Sequence, residues 1–221
     1  MVLSRKDIET RIKSHELNFI PMLDGFQMQP HAVDLRLGFE FHIPKTWEIT
    51  SEGRKAITID PLLADGNSRN FDKVTLKPGQ YFELLPEEQV IGTTLEKIEL
   101  NGADLMCVLY PRSSINRRGL SVDLSGIVDV GYKGHLMIPV VNNTQKQVIR
   151  IYPGERICQL VFQTLSSAVP VKEVSMHGLT KAKYNDAKKA FSGSKSDRVD
   201  ELRLVKSGAL KKLKKIYAID L

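Results

Sequence analysis

The chain has 221 residues, 42% of them hydrophobic, and a formal net charge of +6 at pH 7. This length and composition can bury one sizeable core, so one principal domain is expected. No run of 18 apolar residues occurs, and the N-terminus carries charges where a signal peptide would be apolar. The sequence therefore argues against a membrane-spanning helix and indicates a soluble, cytoplasmic protein.

The first predicted element is a helix that begins after Ser4 and ends near Ser14. Ser4 is a favourable N-cap residue, Asp7 supplies an acidic side chain three positions later, and Ile8 and Ile12 lie on one face of the helix. These features predict a capped, amphipathic N-terminal helix.

Short apolar or alternating runs, broken by Gly, Pro and Asn, fill residues 32–165. Many short strands at near-regular spacing are typical of a β-barrel or a jelly-roll-like sandwich, so a mainly β fold is predicted. Cys107 and Cys158 lie inside apolar runs, which favours buried thiols over a disulfide. The runs are 33–44, 56–61, 73–86, 89–100, 104–111, 135–144, 147–154 and 157–165, and 51–72 is predicted to be an irregular insertion.

The C-terminal part of the chain has a different pattern. Residues 171–198 are polar and rich in Lys and Ser, which predicts an arm that orders on demand. From residue 197 onward the spacing predicts a basic amphipathic helix, interrupted near Ser207 and Gly208. Packing on its own or a neighbouring subunit is favoured over binding to a membrane or to nucleic acid. We expect one domain at 1–170, followed by a lid-like arm and helix at 171–221.

The first candidate site is the P-R-S-S sequence at Pro111–Ser114. A guanidinium offers a planar fork to phosphate oxygens, and the adjacent hydroxyls of Ser113 and Ser114 can donate to the same group. Arg112 with these serines therefore suits a polyphosphate. The alternative is a serine N-cap beside a solvated arginine.

A second candidate site is the sequence G-I-V-D-V-G-Y-K-G, which contains a carboxylate, Asp129. Gly126 and Gly131 let the backbone approach a ligand, and Tyr132 offers a flat ring. An isolated Asp here could simply cap a turn. A third sequence, P-G-E-R at residues 153–156, predicts a tight turn that leads into a buried strand, although its Glu and Arg could form a surface ion pair.

Together these sequences resemble the dUTP diphosphatase (dUTPase) and dCTP deaminase superfamily over most of the chain. The first family motif is matched by A-V-D-L-R-L-G, with Asp34 as its acidic residue, and the second by P-R-S-S with Arg118 at the usual basic position. G-I-V-D-V-G-Y-K-G and P-G-E-R-I-C-Q-L match the third and fourth. The opening L-S-R-K-D-I and the late A-K-Y are more similar to the deaminase branch. The resemblance implies a dUTPase-like β-barrel or jelly roll and a homotrimer with its sites at subunit boundaries.

One position argues against deamination. In the deaminase branch a Glu shuttles protons beside the base, on the strand that follows the Tyr/Trp-x-Gly turn. The matching residue here is Pro139, which has no titratable group. Simple deamination by the family mechanism is therefore not expected.

The resemblance implies a dUTP diphosphatase, in which water attacks the α-phosphorus. Asp129 would activate the water, and Tyr132 would pack under the deoxyribose and exclude a 2'-hydroxyl. The backbone of the hairpin at residues 124–128, including Leu124, Gly126 and Val128, would contact the base edge. The phosphates would be held by Arg112, Ser113, Ser114 and Gln159. Mg²⁺ would be bound chiefly by the substrate, with Asp34 reaching it through water.

Two assignments stay open. Phe191 resembles the base-stacking Phe of the diphosphatase arm, whereas Lys183 and Tyr184 resemble the lid of the deaminase branch. Two other functions also remain. One is a deaminase or hydrolase acting on a cytosine nucleotide, with Asp123 accepting a hydrogen bond from the exocyclic amine. The other is a non-catalytic nucleotide-sensing regulator.

Overall fold

The computed structural model describes residues 1–60, 70–122, 126–174, 176–177, 180–181 and 197–219. The chain forms two compact units. The first consists of Met1–Pro44 and Asp72–Lys188, and the second of Lys45–Phe71 and Lys189–Leu221. The chain is mainly β, as the sequence predicts. None of the helices in the described segments combines the length and apolar character that crossing a membrane requires.

The N-terminal helix α1 (Arg5–Lys13) confirms the sequence prediction. Ser4 is its N-cap, and the Asp7 side chain accepts a hydrogen bond from the Ser4 backbone N–H at 2.9 Å, which completes a capping box. Ile8 is the buried residue of the helix, so α1 packs on the sheet through one face. The helix ends at its C-cap, Ser14.

The strands of the first unit are two to twelve residues long and mostly antiparallel. Nine of those in the described segments form one sheet in the order β10-β8-β13-β2-β7-β11-β9, with β1 beside β7 and β5 beside β2. Two smaller ribbons pair β12 with β6 and β14 with β15. The bounds are β1 Leu17–Ile20, β2 Val33–Pro44, β5 Phe71–Thr75, β6 Phe82–Leu84, β7 Gln89–Leu100, β8 Leu105–Pro111, β9 Leu120–Val122, β10 Gly126–Val128, β11 Lys133–Asn142, β12 Ile149–Ile151, β13 Arg156–Thr164, β14 Met176–His177 and β15 Thr180–Lys181.

The long strand β2 joins the two halves of the sheet. Its first part pairs with β13, with Asp34 opposite Gln159, and its second part pairs with β7, with Phe41 opposite Gly92. The change of partner occurs near Gly38, where a Cβ would lie only 3.0 Å from the Thr93 carbonyl oxygen. A glycine therefore lets the two strands approach closely where the sheet changes partner.

The apolar side chains between the two halves form one core. Phe41 stacks on Phe82 with ring centroids 5.0 Å apart, and Phe162 meets Phe19 edge to face at 6.3 Å. Cys107 and Cys158 are fully buried free thiols in this core, which confirms the sequence prediction.

The second unit contains a hairpin and two helices. Its elements are β3 (Trp47–Thr50), β4 (Gly53–Ala56), α3 (Val199–Lys206) and α4 (Leu210–Ile216). The predicted interruption of the C-terminal helix is confirmed, because Gly208 adopts a positive φ of 70° between α3 and α4. Leu202 and Leu204 of α3 are buried, whereas the four lysines of α4 are exposed.

Two local expectations were wrong. The run at 56–61 is not a strand, because only Ala56 belongs to β4 and residues 57–60 have no strand pairing. Pro61 follows directly and supplies no N–H to a ladder. The predicted irregular insertion at 51–72 includes β4 and the start of β5, while its Gly66-Asn67-Ser68 sequence lies outside the described residues.

Candidate active site

A buried carboxylate links the first, second and fourth sequence motifs. Asp34 Oδ2 lies 3.0 Å from Arg112 Nε and 3.2 Å from Arg156 Nη1. Gln29 Nε2 donates to the same oxygen at 3.3 Å. Arg112 Nη1 in turn donates to the Arg156 carbonyl oxygen at 3.0 Å, so the two arginines are held together.

Burial and the arginines act in opposite directions on this carboxyl. Loss of solvent raises the pKa of Asp34, and the nearby guanidiniums of Arg112 and Arg156 oppose that rise. The ion pairs and the hydrogen bond from Arg156 indicate that the carboxylate is the form that organises the site.

The donor set around Asp34 does not fit a directly bound Mg²⁺. The Asp34 side chain is 2% exposed and faces two cations, whereas Mg²⁺ takes accessible oxygens and keeps several waters. Within the described residues, no three His, Cys, Asp or Glu side chains cluster closely enough to hold a metal ion. The predicted magnesium ion would therefore depend on the substrate's phosphates.

The two serines of P-R-S-S lie beside this cluster on a single helical turn. The turn α2 (Ser113–Asn116) follows β8, with Arg112 as its N-cap residue, and both Ser113 and Ser114 are exposed. Gln159 on β13 pairs with Tyr110 of β8 and with Asp34 of β2. The structure thus brings together the four residues predicted to hold phosphates.

Arg118 makes a different contact from that of Arg112. Its Nη2 donates to Glu155 Oε1 in a short ion pair that joins the second motif to the fourth. The alternative that Glu155 and Arg156 form a surface ion pair with each other was therefore wrong, because Glu155 pairs with Arg118. Arg156 pairs with Asp34 instead.

The Asp129 sequence forms a tight turn between β10 and β11. Asp129 is exposed, and its carbonyl oxygen accepts a hydrogen bond from the Tyr132 backbone N–H at 3.1 Å. Gly131 in the turn has a φ of +78°, and a Cβ there would lie 2.2 Å from Val174 Cγ1. Both the backbone conformation and the close approach of Val174 therefore require glycine.

Tyr132 packs against the core beneath this turn. Its hydroxyl donates to the His135 carbonyl oxygen at 2.9 Å, and Gly134 leaves room for its ring. Burial raises the pKa of the Tyr132 phenol, so the hydroxyl stays protonated and keeps its donor role. The ring is fixed by packing and by a hydrogen bond, as a sugar-contacting side chain would need to be.

Asp129 borders a cleft of about 540 Å³. Most of the lining is apolar, and the only other carboxylate among the described lining residues is that of Glu173. The cleft is lined by Met106, Asp129, Val130, Leu165, Val169, Glu173, Val174 and Met176. A carboxylate at the edge of an apolar cleft is a suitable place for acid and base chemistry.

The structure does not bring Asp129 to the arginine cluster within one chain. Val128 pairs with Cys107 of β8, so the next residue, Asp129, lies beside Met106. Arg112 lies six positions farther along β8, which at about 3.3 Å per residue is a separation of about 20 Å. Of the residues predicted to contact the base, Val128 directly precedes Asp129, whereas Gly126 pairs with Leu109, midway between Met106 and Arg112.

Pro139 occupies the middle of β11 and pairs with Ile91 of β7. Burial alternates along this strand, and Pro139 is on its partly exposed face, between the buried residues Ile138 and Val140. The position is thus a regular strand position with no acid or base on its side chain.

Several predicted residues lie outside the described part of the chain. They are Asp123, Leu124, Lys183, Tyr184 and Phe191. Their assignments stay predictions.

Sequence reasoning missed the roles of Arg156 and Gln29. Arg156 Nη1 donates to the Phe26 carbonyl oxygen at 2.6 Å as well as to Asp34, and Gln29 Nε2 donates to that carbonyl at 3.0 Å. The position of Arg156 in the P-G-E-R motif could have indicated that this side chain belongs to the site. No local pattern marked Gln29.

Comparisons with known proteins agree with the sequence motifs. Residues 2–165 match the family model described as dCTP deaminase-like. A protein of Dictyoglomus thermophilum named "dCTP deaminase, dUMP-forming" is 35% identical over 190 residues, covering 85% of this chain and 91% of the relative. A protein of the same name from Methanosphaera stadtmanae is 31% identical over 170 residues, covering 75% of this chain and 80% of the relative.

A solved structure also resembles this fold. The dCTP deaminase from Agrobacterium tumefaciens aligns with a TM-score of 0.56 and 23% identity, covering 74% of this chain and 48% of that one. The likeness is one of fold, and the present chain spans about half of that longer chain. Helices α3 and α4 lie beyond the residues that the family model matches.

Proposed function

Because the chain belongs to the dCTP deaminase-like family, we propose that it hydrolyses dUTP to dUMP and diphosphate. The observation that carries the proposal is a contrast between two positions. Asp129 presents an exposed carboxylate beside a cleft, whereas Pro139 stands where the resemblance puts the deaminase's glutamate. Diphosphate cleavage needs the first group, and deamination of the ring needs the second.

In the proposed reaction Asp129 accepts a proton from a water molecule as the water attacks the α-phosphorus. A bond forms between the water oxygen and phosphorus, and the bond to the bridging oxygen of the diphosphate breaks. Arg112, Ser113 and Gln159 hold the phosphates and offset the charge that develops on them. Tyr132 packs under the deoxyribose and leaves no room for a 2'-hydroxyl.

We further propose that the site forms between subunits of a homotrimer. The separation of about 20 Å between Asp129 and Arg112 along β8 supports this, because one substrate cannot contact both in the same chain. Gln159 pairs with the exposed Tyr110, and Ile127 on β10 is 66% exposed. An outward apolar surface beside a phosphate-binding residue suits contact with a second copy.

A second candidate is a dUMP-forming dCTP deaminase, which the names of the relatives favour. Conversion of dCTP to dUMP requires both loss of the amino group and cleavage of diphosphate. The two candidates therefore share the phosphate chemistry and differ only at the base. Pro139 supports the first, and the identity to the named relatives supports the second.

The test is to incubate the protein with dUTP, dCTP, dTTP and UTP in the presence of Mg²⁺ while following nucleoside monophosphate, diphosphate and ammonia. We expect dUMP and diphosphate from dUTP, with no ammonia from dCTP. Ammonia release from dCTP would favour the second candidate. Nucleotide binding without any product would favour a regulator, and rapid cleavage of UTP would contradict the role of Tyr132.

A further inference from the structure

We propose that Asp34 is a positioning residue that holds Arg112 and Arg156 for the substrate's phosphates, and is not a contact to a metal ion. This inference rests on the proposed function, because it takes the triphosphate of a nucleotide as the ligand of the two arginines. It replaces the role that the family resemblance implies for Asp34.

The first argument comes from the partners of the Asp34 carboxylate and from its burial. Asp34 Oδ2 forms an ion pair with Arg112 Nε at 3.0 Å and accepts hydrogen bonds from Arg156 and Gln29 at 3.2 and 3.3 Å. The carboxylate is 2% exposed, whereas the arginine side chains are 25% and 28% exposed. Asp34 is therefore the buried partner of the cluster, and the two arginine side chains are its partly exposed members.

The second argument concerns the donors that remain. A guanidinium has five N–H donors. Arg112 uses Nε and Nη1 in this cluster, and Arg156 uses Nη1 for both Asp34 and Phe26. Within the described segments, Nη2 of each arginine makes no hydrogen bond. These two nitrogens are thus the donors left for phosphate oxygens.

The third argument is electrostatic. Without Asp34, two guanidiniums on adjacent strands would face each other with no anion between them. The two guanidiniums would repel each other. Each arginine would also lose the contact that fixes its side-chain conformation, and a ligand would have to restore that conformation on binding. A buried carboxylate is costly to desolvate, and here two cations and a side-chain amide offset that cost. The same two cations disfavour a metal ion at this carboxylate.

The experiment compares the full-length protein with the Asp34→Asn variant. Binding of inorganic diphosphate without metal is measured by calorimetry, and kcat and KM for dUTP are measured over a range of Mg²⁺ concentrations. We expect diphosphate binding to weaken about tenfold, KM to rise about as much, and kcat to stay within about twofold. The Mg²⁺ concentration that gives half-maximal activity should not change.

Asp104→Asn is the matched control, because Asp104 pairs with Arg11 away from these arginines. It should leave diphosphate binding and KM unchanged. Unaltered diphosphate binding by Asp34→Asn, with a higher Mg²⁺ requirement, would overturn the proposal in favour of a metal contact.

A second variant covers the case in which Asp34→Asn does not fold. Arg156→Lys keeps the positive charge but loses the planar fork. We expect it to fold and to weaken diphosphate binding, and unchanged binding would contradict the proposal. If the parent protein cleaves no nucleotide, the proposed function fails, but the calorimetric comparison with diphosphate still decides the role of Asp34.

Discussion

Val128 pairs with Cys107 across β10 and β8, and this register separates the two ends of the site. Asp129 follows Val128 beside Met106, while Arg112 lies at the far end of β8. In the proposed function, Asp129 activates the water and Arg112 binds the phosphates, so these two residues of one chain would serve different sites. This arrangement leads to the first prediction.

Two inactive variants should restore each other's activity when mixed. In the proposed homotrimer, Asp129→Asn and Arg112→Ala would each remove one half of every site. Refolding an equal mixture should recover about a quarter of wild-type activity, because random assembly gives that fraction of sites with both intact residues. The measurement is dUMP release after denaturation, mixing and refolding. Activity no higher than that of the separate variants would place the whole site within one chain.

Asp129→Asn alone should abolish turnover and preserve nucleotide binding. The amide keeps the shape of the side chain but cannot accept the proton, so kcat should fall about 10²- to 10⁴-fold, with the dissociation constant for dUTP within about threefold. Rapid kinetics and calorimetry measure the two quantities. Glu173→Gln, in the same cleft, is the control and should retain turnover. Near-normal activity of Asp129→Asn would remove this residue from the role of base.

Gly131→Ala should destabilise the protein more than Gly154→Ala does. Both glycines have positive φ, 78° and 86°, but only Gly131 has a close neighbour, Val174. We expect Gly154→Ala to lower the free energy of unfolding by about 1 kcal/mol through backbone strain, and Gly131→Ala by about 2–4 kcal/mol through strain and overpacking. Denaturant unfolding measures both.

A double variant separates the two causes at Gly131. Adding Val174→Ala removes the Cγ1 methyl that the new Cβ would meet at 2.2 Å. Measured against Val174→Ala alone, Gly131→Ala should then cost less than in the wild-type chain but somewhat more than Gly154→Ala, because the Val174 carbonyl oxygen still lies 3.2 Å from the new Cβ. An unchanged cost would show that the steric contact has no part in the effect.

The ion pair between Arg11 and Asp104 should contribute to stability only above acidic pH. Arg11 donates to both carboxylate oxygens, at 3.0 and 2.9 Å, and this hydrogen bonding lowers the pKa of Asp104. A carboxyl with a lowered folded-state pKa stabilises the fold above its unfolded-state pKa of about 3.9. That contribution is lost as the pH falls through the folded-state pKa.

Asp104→Asn should therefore lower the free energy of unfolding by about 1 kcal/mol at pH 7 and by almost nothing near pH 2. The value at pH 7 is small because the ion pair is partly exposed to solvent. Urea unfolding at a series of pH values measures the difference. Glu9→Gln breaks the more exposed pair with Arg5 and should change stability less at every pH. A cost of Asp104→Asn that persists at pH 2 would contradict the electrostatic explanation.

The sequence predicted elements whose signals are local. The N-terminal helix followed from Ser4 and Asp7, and the long strands β2, β7 and β11 from apolar runs or alternation. The four-residue strand β1 was missed, because a run this short depends on its partner β7 for its structure. The wrong strand at 56–61 is the converse case: β4 ends at Ala56, and the next hydrogen bond, from the Ile57 N–H to the Thr46 carbonyl oxygen, does not extend the strand.

The site was only partly predictable for the same reason. Motifs identified Arg112, Asp34 and Asp129, but the ion pairs of Asp34 join residues that no local pattern relates. The distance between Arg112 and Asp129 also followed from strand register and not from their spacing of seventeen residues. Residue types were therefore predictable, whereas their grouping required the folded sheet.

If the cluster around Asp34 binds nucleotide as proposed, nucleotide affinity also reports completed folding. Asp34 and Arg156 are 122 residues apart in sequence, and Arg112 and Arg156 are 44 apart. The nitrogens proposed to bind phosphate meet only when β2, β8 and β13 are aligned, so a partly folded chain would offer no comparable ligand site. Bound nucleotide should then shift the unfolding equilibrium by mass action, about 2.7 kcal/mol at a hundredfold excess over the dissociation constant.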